Sequence, residues 1–359
     1  MTVAVIKITL NGSTDLSGIK SVRVRKTPNS PSTATINLVN WGGKNQFQAK
    51  RGDLIQIKAS PSKRASVSGL PSVFYGFVSD TEATRSDYTI TALDALGYLA
   101  NEIIATNPSS IAANNLDAAN IIKEIIGPNS YNVDPTTIRG TCGINLSPGL
   151  NLVGKTRLSA IQQIMNTINQ SPKKFTLRAD LSSLKIHLLE TPDPAGSISI
   201  TSHIAGRFPR TSAKLDFYPT NIDRVEDEVD LVNFVTVQNS DLGIKVSDPE
   251  TKPAKPIERI YEEKSITDET QARLLARAIV QQAGTSKIRW VVDAKPERLD
   301  IQVGDTIQFA SVEGGLVGVH SVFDLTWSIS PEASGISMTV GRQSPDFVST
   351  LRYVSNLSA

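Results

Sequence analysis

The stretches RGDLIQIKA (residues 51–59) and VGDTIQFA (residues 303–310) share one pattern: Gly-Asp, any residue, Ile-Gln and an apolar residue. Glycine tolerates the backbone angles of a tight turn, and aspartate can accept hydrogen bonds from nearby backbone N–H groups. The alternating apolar residues that follow are typical of a β-strand. A strand that contains glycine and then another alternating strand come after each copy. The repeat therefore predicts two related β regions. The predicted structural turn residues are Gly52, Asp53, Gly304 and Asp305.

Arg51-Gly52-Asp53 also spells a cell-adhesion motif, which would give this segment a receptor-binding role. A motif that a receptor binds must stand on an exposed loop tip, whereas strand-like residues follow Asp53 at once. The second copy does not repeat the arginine, because Val303 stands in its place. Short motif matches have a high false-positive rate, so the structural turn is the favoured interpretation.

Hydrophobic periodicity divides the chain into segments. Closely spaced alternating stretches fill residues 1–100 and are typical of a small antiparallel sandwich or barrel. Residues 101–205 combine helical periodicity with two strand-like stretches, and residues 206–345 are again mainly strand-like. We predict a mainly β fold with an α+β insertion: a first β domain, a helix-containing middle domain and a second β domain. The tail, 346–359, repeats apolar residues every three or four positions. We expect it to pack on a neighbouring chain or on the middle domain, with a disordered end as the alternative.

Four stretches have the periodicity of amphipathic helices. Residues 93–104 and 116–128 place Leu, Ile and Ala at helical intervals, and the second stretch ends at Gly-Pro. Residues 157–169 carry apolar side chains on one face. Residues 269–284 follow Asp268 as a predicted N-cap and end at a glycine.

Composition excludes several classes of function. The 37 basic and 35 acidic residues leave a formal net charge of +2, so no global field attracts the chain to nucleic acid or to an anionic membrane. The single cysteine, Cys142, cannot form an internal disulfide, and only three histidines accompany it as ligands for zinc. The N-terminus lacks the features of a signal peptide, and no apolar run approaches the ~18 residues of a membrane span. We predict no cofactor and no metal site.

Residues 149–156, GLNLVGKT, match the phosphate-loop pattern G-x-x-x-x-G-K-[ST]. A phosphate loop requires a buried strand directly before it and free backbone N–H groups. The preceding residues make a poor strand, and Leu150, Leu152 and Val153 are bulky where a phosphate would approach. We therefore expect Lys155 to perform no phosphate chemistry. The alternative is a β-rich hydrolase or a nucleotide-binding enzyme that uses this loop.

Other candidate catalytic residues are scattered. Ser171 to Lys174 fit S-x-x-K, but the partner motifs of serine acyltransferases are absent from the sequence. The histidines are spaced too far apart to form a recognisable metal-ligand motif; they are His187, His203 and His320. The acidic run 223–230, DRVEDEVD, could supply paired carboxylates, but such runs are usually solvated faces. We predict no catalytic residues.

The order of motifs along the chain resembles one family. A β region with the Gly-Asp strand is followed by GKTRLSAIQQI (154–164), the strand VNFVTV (232–237), the helix ETQARLLARAIV and then VGDTIQF. This order is similar to that of the hub proteins of phage tails and contractile injection baseplates, a group that includes the phage late control D proteins. The resemblance spans residues 3–342.

The resemblance implies a structural role without catalysis. In such families the two β regions are similar β-barrel tube domains, so a homotrimer presents six barrels in a ring. The ring adapts a six-fold tail tube to a three-fold central spike. The implied partners are the tail tube protein, a separate spike protein and other baseplate proteins, with a genome or effector passing through the channel. The implied location is a virion tail or an injection particle, assembled in the cytoplasm of a host bacterium.

Overall fold

The fold follows the alternation of the sequence. The computed structural model describes residues 4–41, 49–61, 69–112, 117–138, 140–146, 151–168, 174–191, 201–202, 217–227, 232–262, 268–283, 287–296, 299, 301–309, 316 and 318–341. The tail 346–359 lies outside these residues. Within them the chain is mainly β, and most helices lie in the middle of the sequence. This confirms the predicted fold class.

The strands of the first part are β1 (Val5–Leu10), β2 (Thr14–Asp15), β3 (Ile19–Lys26), β4 (Thr33–Val39), β5 (Leu54–Ser60), β6 (Ser72–Ala83) and β7 (Asp87–Leu93). They are joined in the order β3-β4-β7-β6-β5-β1-β2. Each of β4, β5 and β7 buries every second side chain, as a strand with one face on a core must.

The middle part contains the helices α1 (Ala95–Leu99), α2 (Ser109–Ala112), α3 (Ala118–Ile126) and α4 (Arg157–Ile168), then the paired strands β8 (Lys174–Ala179) and β9 (Ile186–Thr191). The helices at 118–126 and 157–168 confirm the periodicity argument. The predicted helix over 93–104 is wrong beyond its first turns, since α1 ends at Leu99. Its apolar pattern continues after the helix, where Ile103 is exposed and pairs with Thr156 as an isolated bridge.

The remaining strands are β10 (Thr201–Ser202), β11 (Phe217–Asp227), β12 (Phe234–Asn239), β13 (Ile244–Asp248), β14 (Glu258–Glu262), β15 (Lys287–Pro296), β16 (Thr306–Phe309), β17 (Gly318–Ile329) and β18 (Ser334–Gly341). The last helix is α5 (Glu269–Ala283), as predicted. The two β regions belong to one thirteen-stranded sheet, because β17 pairs with β3.

The two β regions repeat the same strand order. The order β3-β4-β7-β6-β5-β1 in the first corresponds to β11-β15-β18-β17-β16-β10 in the second. The register of the central strands is also the same, because four successive residues from Leu54 pair with Phe77 to Phe74, and four from Thr306 pair with Ser321 to Gly318. One difference lies at the end of the series: β1 pairs with β5 antiparallel, whereas β10 pairs with β16 parallel.

A β-bulge is repeated at the same place in both regions. The β6–β7 register shifts between Val78 and Asp80, and Asp80 lies opposite Thr91. The β17–β18 register shifts between Val322 and Asp324, and Asp324 lies opposite Thr339. A bulge adds one residue to one strand and is a specific local feature. Its recurrence with the same Asp–Thr pair assigns β6 and β17 to equivalent positions, residue by residue.

Residues 224–289 belong to a second compact unit. It contains a three-stranded sheet in the order β13-β12-β14, with α5 packed on it. The buried residues of this unit include Val235, Val237, Leu275 and Ile279. The apolar stripe of α5 predicted from the sequence therefore faces a core.

Candidate functional site

The first Gly-Asp turn closes the entry to β5 with backbone bonds. Gly52 has φ = 91°, a conformation that L side chains rarely adopt. Its N–H donates to the Val78 carbonyl at 2.8 Å, and the Val78 N–H donates to the Asp53 carbonyl at 2.9 Å. The Lys50 N–H donates to Asp53 Oδ2 at 2.7 Å. The turn therefore docks on the bulge of β6.

The second Gly-Asp turn repeats these bonds at the entry to β16. Gly304 has φ = 89°. Its N–H donates to the Val322 carbonyl at 2.9 Å, and the Val322 N–H donates to the Asp305 carbonyl at 2.9 Å. The Gln302 N–H donates to Asp305 Oδ2 at 2.8 Å. The predicted turn residues of the first turn thus occupy the same positions as those of the second. Arg51, just before the first Gly-Asp pair, is exposed.

The second carboxylate oxygen distinguishes the two turns. Asp53 Oδ1 accepts a bond from Asn11 Nδ2 at 3.0 Å, at an exposed site. Asp305 Oδ1 accepts a bond from Arg178 Nη1 at 2.8 Å, and the Asp305 side chain is only 7% exposed. Burial raises the pKa of Asp305, while Arg178 opposes that rise. The second turn is therefore tied by an ion pair to β8 of the middle part.

Further buried polar groups lie beside this ion pair. A small cavity is lined by Lys26 at the end of β3, by Asp94 and by Arg178. Asp94 caps α1: its Oδ1 accepts a bond from the Leu96 N–H at 3.0 Å, and its Oδ2 accepts one from the Ser32 N–H at 2.9 Å. Burial raises the pKa of Asp94 to about 6. Within the described chain, this cluster joins the first β region, the middle part and the second turn.

The pairing of β17 with β3 is the junction between the two β regions, called the intrachain junction below. Leu325 lies opposite Lys26, and Ile329 lies opposite Val22. The side chains of Leu325, Trp327 and Ile329 are at most 1% exposed. Arg25 on β3 and Asp324 on β17 form an ion pair across it, with 3.4 Å between Nη2 and Oδ2.

At the equivalent place in the first β region, the described residues include no partner strand. The first half of β6, from Ser72 to Phe77, pairs with β5, and the second half, from Phe77 to Ala83, pairs with β7. Beyond Val78, one side of β6 pairs with β7. The other side of β6 corresponds to the side of β17 that pairs with β3, and no described strand lies there. The residues of this open edge, from Asp80 to Ala83, are exposed.

The strand equivalent to β3 is β11, and it is also an edge. In the described sheet β11 is joined to β15 alone. Val225 on β11 is 45% exposed, a large apolar side chain at a sheet edge. Among the described strands, β6 and β11 therefore each have an open edge, and these edges correspond to the two sides of the intrachain junction.

In the loop that matches the phosphate-binding pattern, several of the described N–H groups donate hydrogen bonds to other groups of the chain. The Leu152 N–H donates to Asn107 Oδ1, the Gly154 N–H to the Ile104 carbonyl and the Lys155 N–H to the Leu152 carbonyl. Lys155 Nζ donates to Gln163 on α4. These N–H groups already have acceptors within the chain, so residues 151–156 do not form an anion cradle.

Neither wild type nor Lys155→Ala is expected to bind MgATP saturably, because the lysine contacts Gln163 rather than an open site. Isothermal titration with MgATP on wild type and variant measures this directly. Gln163→Ala is the matched control, since it removes the other partner of the same contact. Saturable MgATP binding that Lys155→Ala abolishes and Gln163→Ala retains would contradict the prediction.

The other candidate residues that the structure describes do not come together in one site. His187 Nε2 lies 3.3 Å from Asp180 Oδ2 on the β8–β9 hairpin. His320 is buried beside Trp290. His203 and Ser171 lie outside the described residues, as does the end of the acidic run beyond Asp227. Among the described residues, no group of three or more His, Cys, Asp or Glu side chains could hold a metal ion.

Among known structures, this chain resembles several tail proteins. The 43 kDa tail protein of prophage MuSo2 from Shewanella oneidensis has a TM-score of 0.61 and 13% identity, covering 95% of this chain and 99% of that one. A tail protein from Neisseria meningitidis MC58 has a TM-score of 0.57 and 11% identity, covering 97% and 99%. A component of the E. coli type VI secretion system, similar in structure to the T4 bacteriophage tail proteins gp27 and gp5, has a TM-score of 0.53 and 9% identity, covering 94% and 77%.

Identities this low show the fold alone. The chain therefore has the fold of these phage tail proteins. No protein-family model matches the sequence, and no curated protein matches it. In the described part of the chain, no helix is long and apolar enough to cross a membrane.

Proposed function

We propose that this chain is a structural hub of a phage tail or contractile injection baseplate, a trimeric ring that adapts a six-fold tail tube to a three-fold spike. The observation that supports this most directly is the duplication of strand order, register and bulge within one chain. A chain with two equivalent β regions supplies two of six positions around a six-fold axis. Three chains then complete the ring.

The open edges support a head-to-tail arrangement. One chain presents β6 beyond Val78, where no described strand takes the place of β3, and its neighbour presents β11, the equivalent of β3. Such a contact is heterologous, and heterologous contacts form closed rings when the rotation between copies permits. In this proposal β11 of one copy pairs with the open edge of β6 in the next. The contact repeats the intrachain junction between copies.

The proposed ring acts by shape and stiffness. A continuous sheet around a channel would carry a genome or an effector, with the tail tube protein on one side and a separate central spike protein on the other. Other baseplate proteins would bind around it. The particle would be a virion tail or an injection machine assembled in a bacterial cytoplasm. No substrate bond is made or broken in this role. The hydrogen bond from Lys155 Nζ to Gln163 favours it over a nucleotide-dependent enzyme, because it directs the lysine away from a phosphate site.

Native mass measurement of the complete tail or injection particle is expected to give three copies of this chain. A variant that blocks the open edge tests the contact itself. Thr81 occupies the place of Leu325, which faces β3 across the intrachain junction. Thr81→Pro removes one N–H from this edge, so the variant is expected to fold but to be absent from rings. Circular dichroism and the melting temperature check folding. Six copies or a single copy in the complete particle would contradict the proposed hub.

A further inference from the structure

The intrachain junction combines opposite charges with apolar burial. Strand β3 carries four basic residues and no acidic one; they are Lys20, Arg23, Arg25 and Lys26. The part of β17 that faces it, Asp324–Ile329, contains one acidic residue and no basic one. Arg25 pairs with Asp324 across the junction. Charge and apolar contact both favour this pairing.

The equivalent contact between copies brings together two acidic edges. The open part of β6 carries Asp80 and Glu82 and no basic residue; Arg85 follows in the turn. Strand β11 carries three acidic residues and one basic residue, Arg224. The places of Leu325 and Trp327 are taken on β6 by Thr81 and Ala83, both exposed, so little apolar burial is available to offset the repulsion.

Asp80 also occupies the edge itself. Its Oδ1 accepts a hydrogen bond from the Thr81 N–H at 2.9 Å. At the equivalent place, Asp324 turns its Oδ2 to Arg25 of the partner strand. A charged side chain that covers an edge is a common device against uncontrolled strand pairing. The edge of β6 is thus closed by its own carboxylate until a partner replaces that bond.

We propose that like charge on the edges of β6 and β11 holds isolated copies apart, so that ring closure requires screening or neutralisation of these carboxylates. The inference rests on the proposed ring and concerns its control. Paired strands lie about 4.8 Å apart, well inside the Debye length of about 10 Å at 0.1 M salt. At about 1 M salt the Debye length falls to about 3 Å, and the repulsion between the edges is largely screened. In the assembled particle, a basic surface on the tube or spike would have the same effect.

The test measures the number of copies per particle by sedimentation and mass photometry, from about 0.05 to about 1 M NaCl. The wild-type chain is expected to associate about tenfold more tightly at the high end of this range. Asp80→Lys combined with Glu82→Lys is expected to associate at low salt and to lose that dependence, because opposite charges across a strand pair attract. Asp80→Asn combined with Glu82→Gln removes charge but retains an acceptor for the Thr81 N–H. Its association at low salt should be tighter than that of the wild type and weaker than that of the lysine variant.

The matched control changes the net charge by the same amount elsewhere. Asp241→Lys combined with Glu332→Lys alters two exposed connections between paired strands, and it should behave as the wild type. Three-copy rings that form equally in wild type and variants at every salt concentration would overturn the charge control and leave the proposed hub standing. Failure of every variant to close at any salt, with other than three copies in the complete particle, would overturn both.

Discussion

Arg178→Met is expected to lower the free energy of unfolding by about 3 kcal/mol, because it leaves the carboxylate of Asp305 buried without its cation. Arg178 Nη1 lies 2.8 Å from Asp305 Oδ1, and Asp305 is nearly inaccessible to solvent. Methionine retains most of the apolar stem, so the loss reports the ion pair rather than packing. Urea denaturation at pH 7 measures it.

A second variant separates charge from geometry at this site. Arg178→Met combined with Asp305→Asn removes both charges, and the amide oxygen can still accept the bond from the Gln302 N–H. The double variant is expected to recover at least half of the lost stability. A double variant no more stable than Arg178→Met would show that the buried charge is not the cause. Asp53→Asn, in the equivalent exposed turn, should lower the free energy of unfolding less than Arg178→Met or the double variant does.

The turns could be predicted from the sequence because their determinants are local. A glycine that must adopt positive φ and an aspartate that bonds the residue three positions before it lie within five residues of each other. Repetition at 304–305 then indicated an internal relationship. Strand alternation and the helix α5 are local in the same sense, so they were also predictable.

The partners of these turns could not be predicted. Asp53 and Asp305 share the pattern Gly-Asp-x-Ile-Gln, yet one contacts Asn11 and the other contacts Arg178, 127 residues away in the sequence. Arg178 lies in a strand with the buried residues Phe175 and Leu177, and no feature of that local sequence predicts which acidic residue it contacts. The short α1 is similar: its apolar residues continue past Leu99, but the chain leaves the helix to meet Thr156 and Lys155.

The open edges required the structure as well. The sequence predicts strands at β6 and β11, but only the sheet order shows which side of each lacks a partner. The sequence alone predicts a solvated face for the acidic run that begins at Asp223, with paired carboxylates as the alternative. Its first half lies on an edge strand equivalent to the basic β3, and this contrast is visible only once the two strands are assigned to the same position.

Asp94→Asn is expected to become more stable relative to wild type as the pH rises from about 4 to about 7. Burial raises the pKa of Asp94 from 3.8 to about 6, with Lys26 and two N–H donors opposing the rise. A carboxyl whose pKa is raised on folding contributes stability below its unfolded pKa and loses it as the pH rises through its folded pKa. The difference corresponds to about 3 kcal/mol across this range. The variant carries a constant cost, since one of its two acceptor oxygens becomes a donor, but it lacks the pH-dependent loss.

The N-cap of α3, Asp117, supplies the control for the pH dependence of the Asp94→Asn stability difference. Asp117 Oδ1 accepts a bond from the Ala119 N–H, as Asp94 does from Leu96. Burial acts to raise the pKa of Asp117, but hydrogen bonds from Thr141 and from the backbone of Cys142 and Gly143 hold it below its usual value. Its titration therefore affects stability only below about pH 4. Asp117→Asn should differ from wild type by a constant amount between about pH 5 and about pH 7, where the difference for Asp94→Asn is still changing. Chemical denaturation at each pH distinguishes the two caps, and equal slopes for both variants would show that burial of Asp94 does not control the pH response.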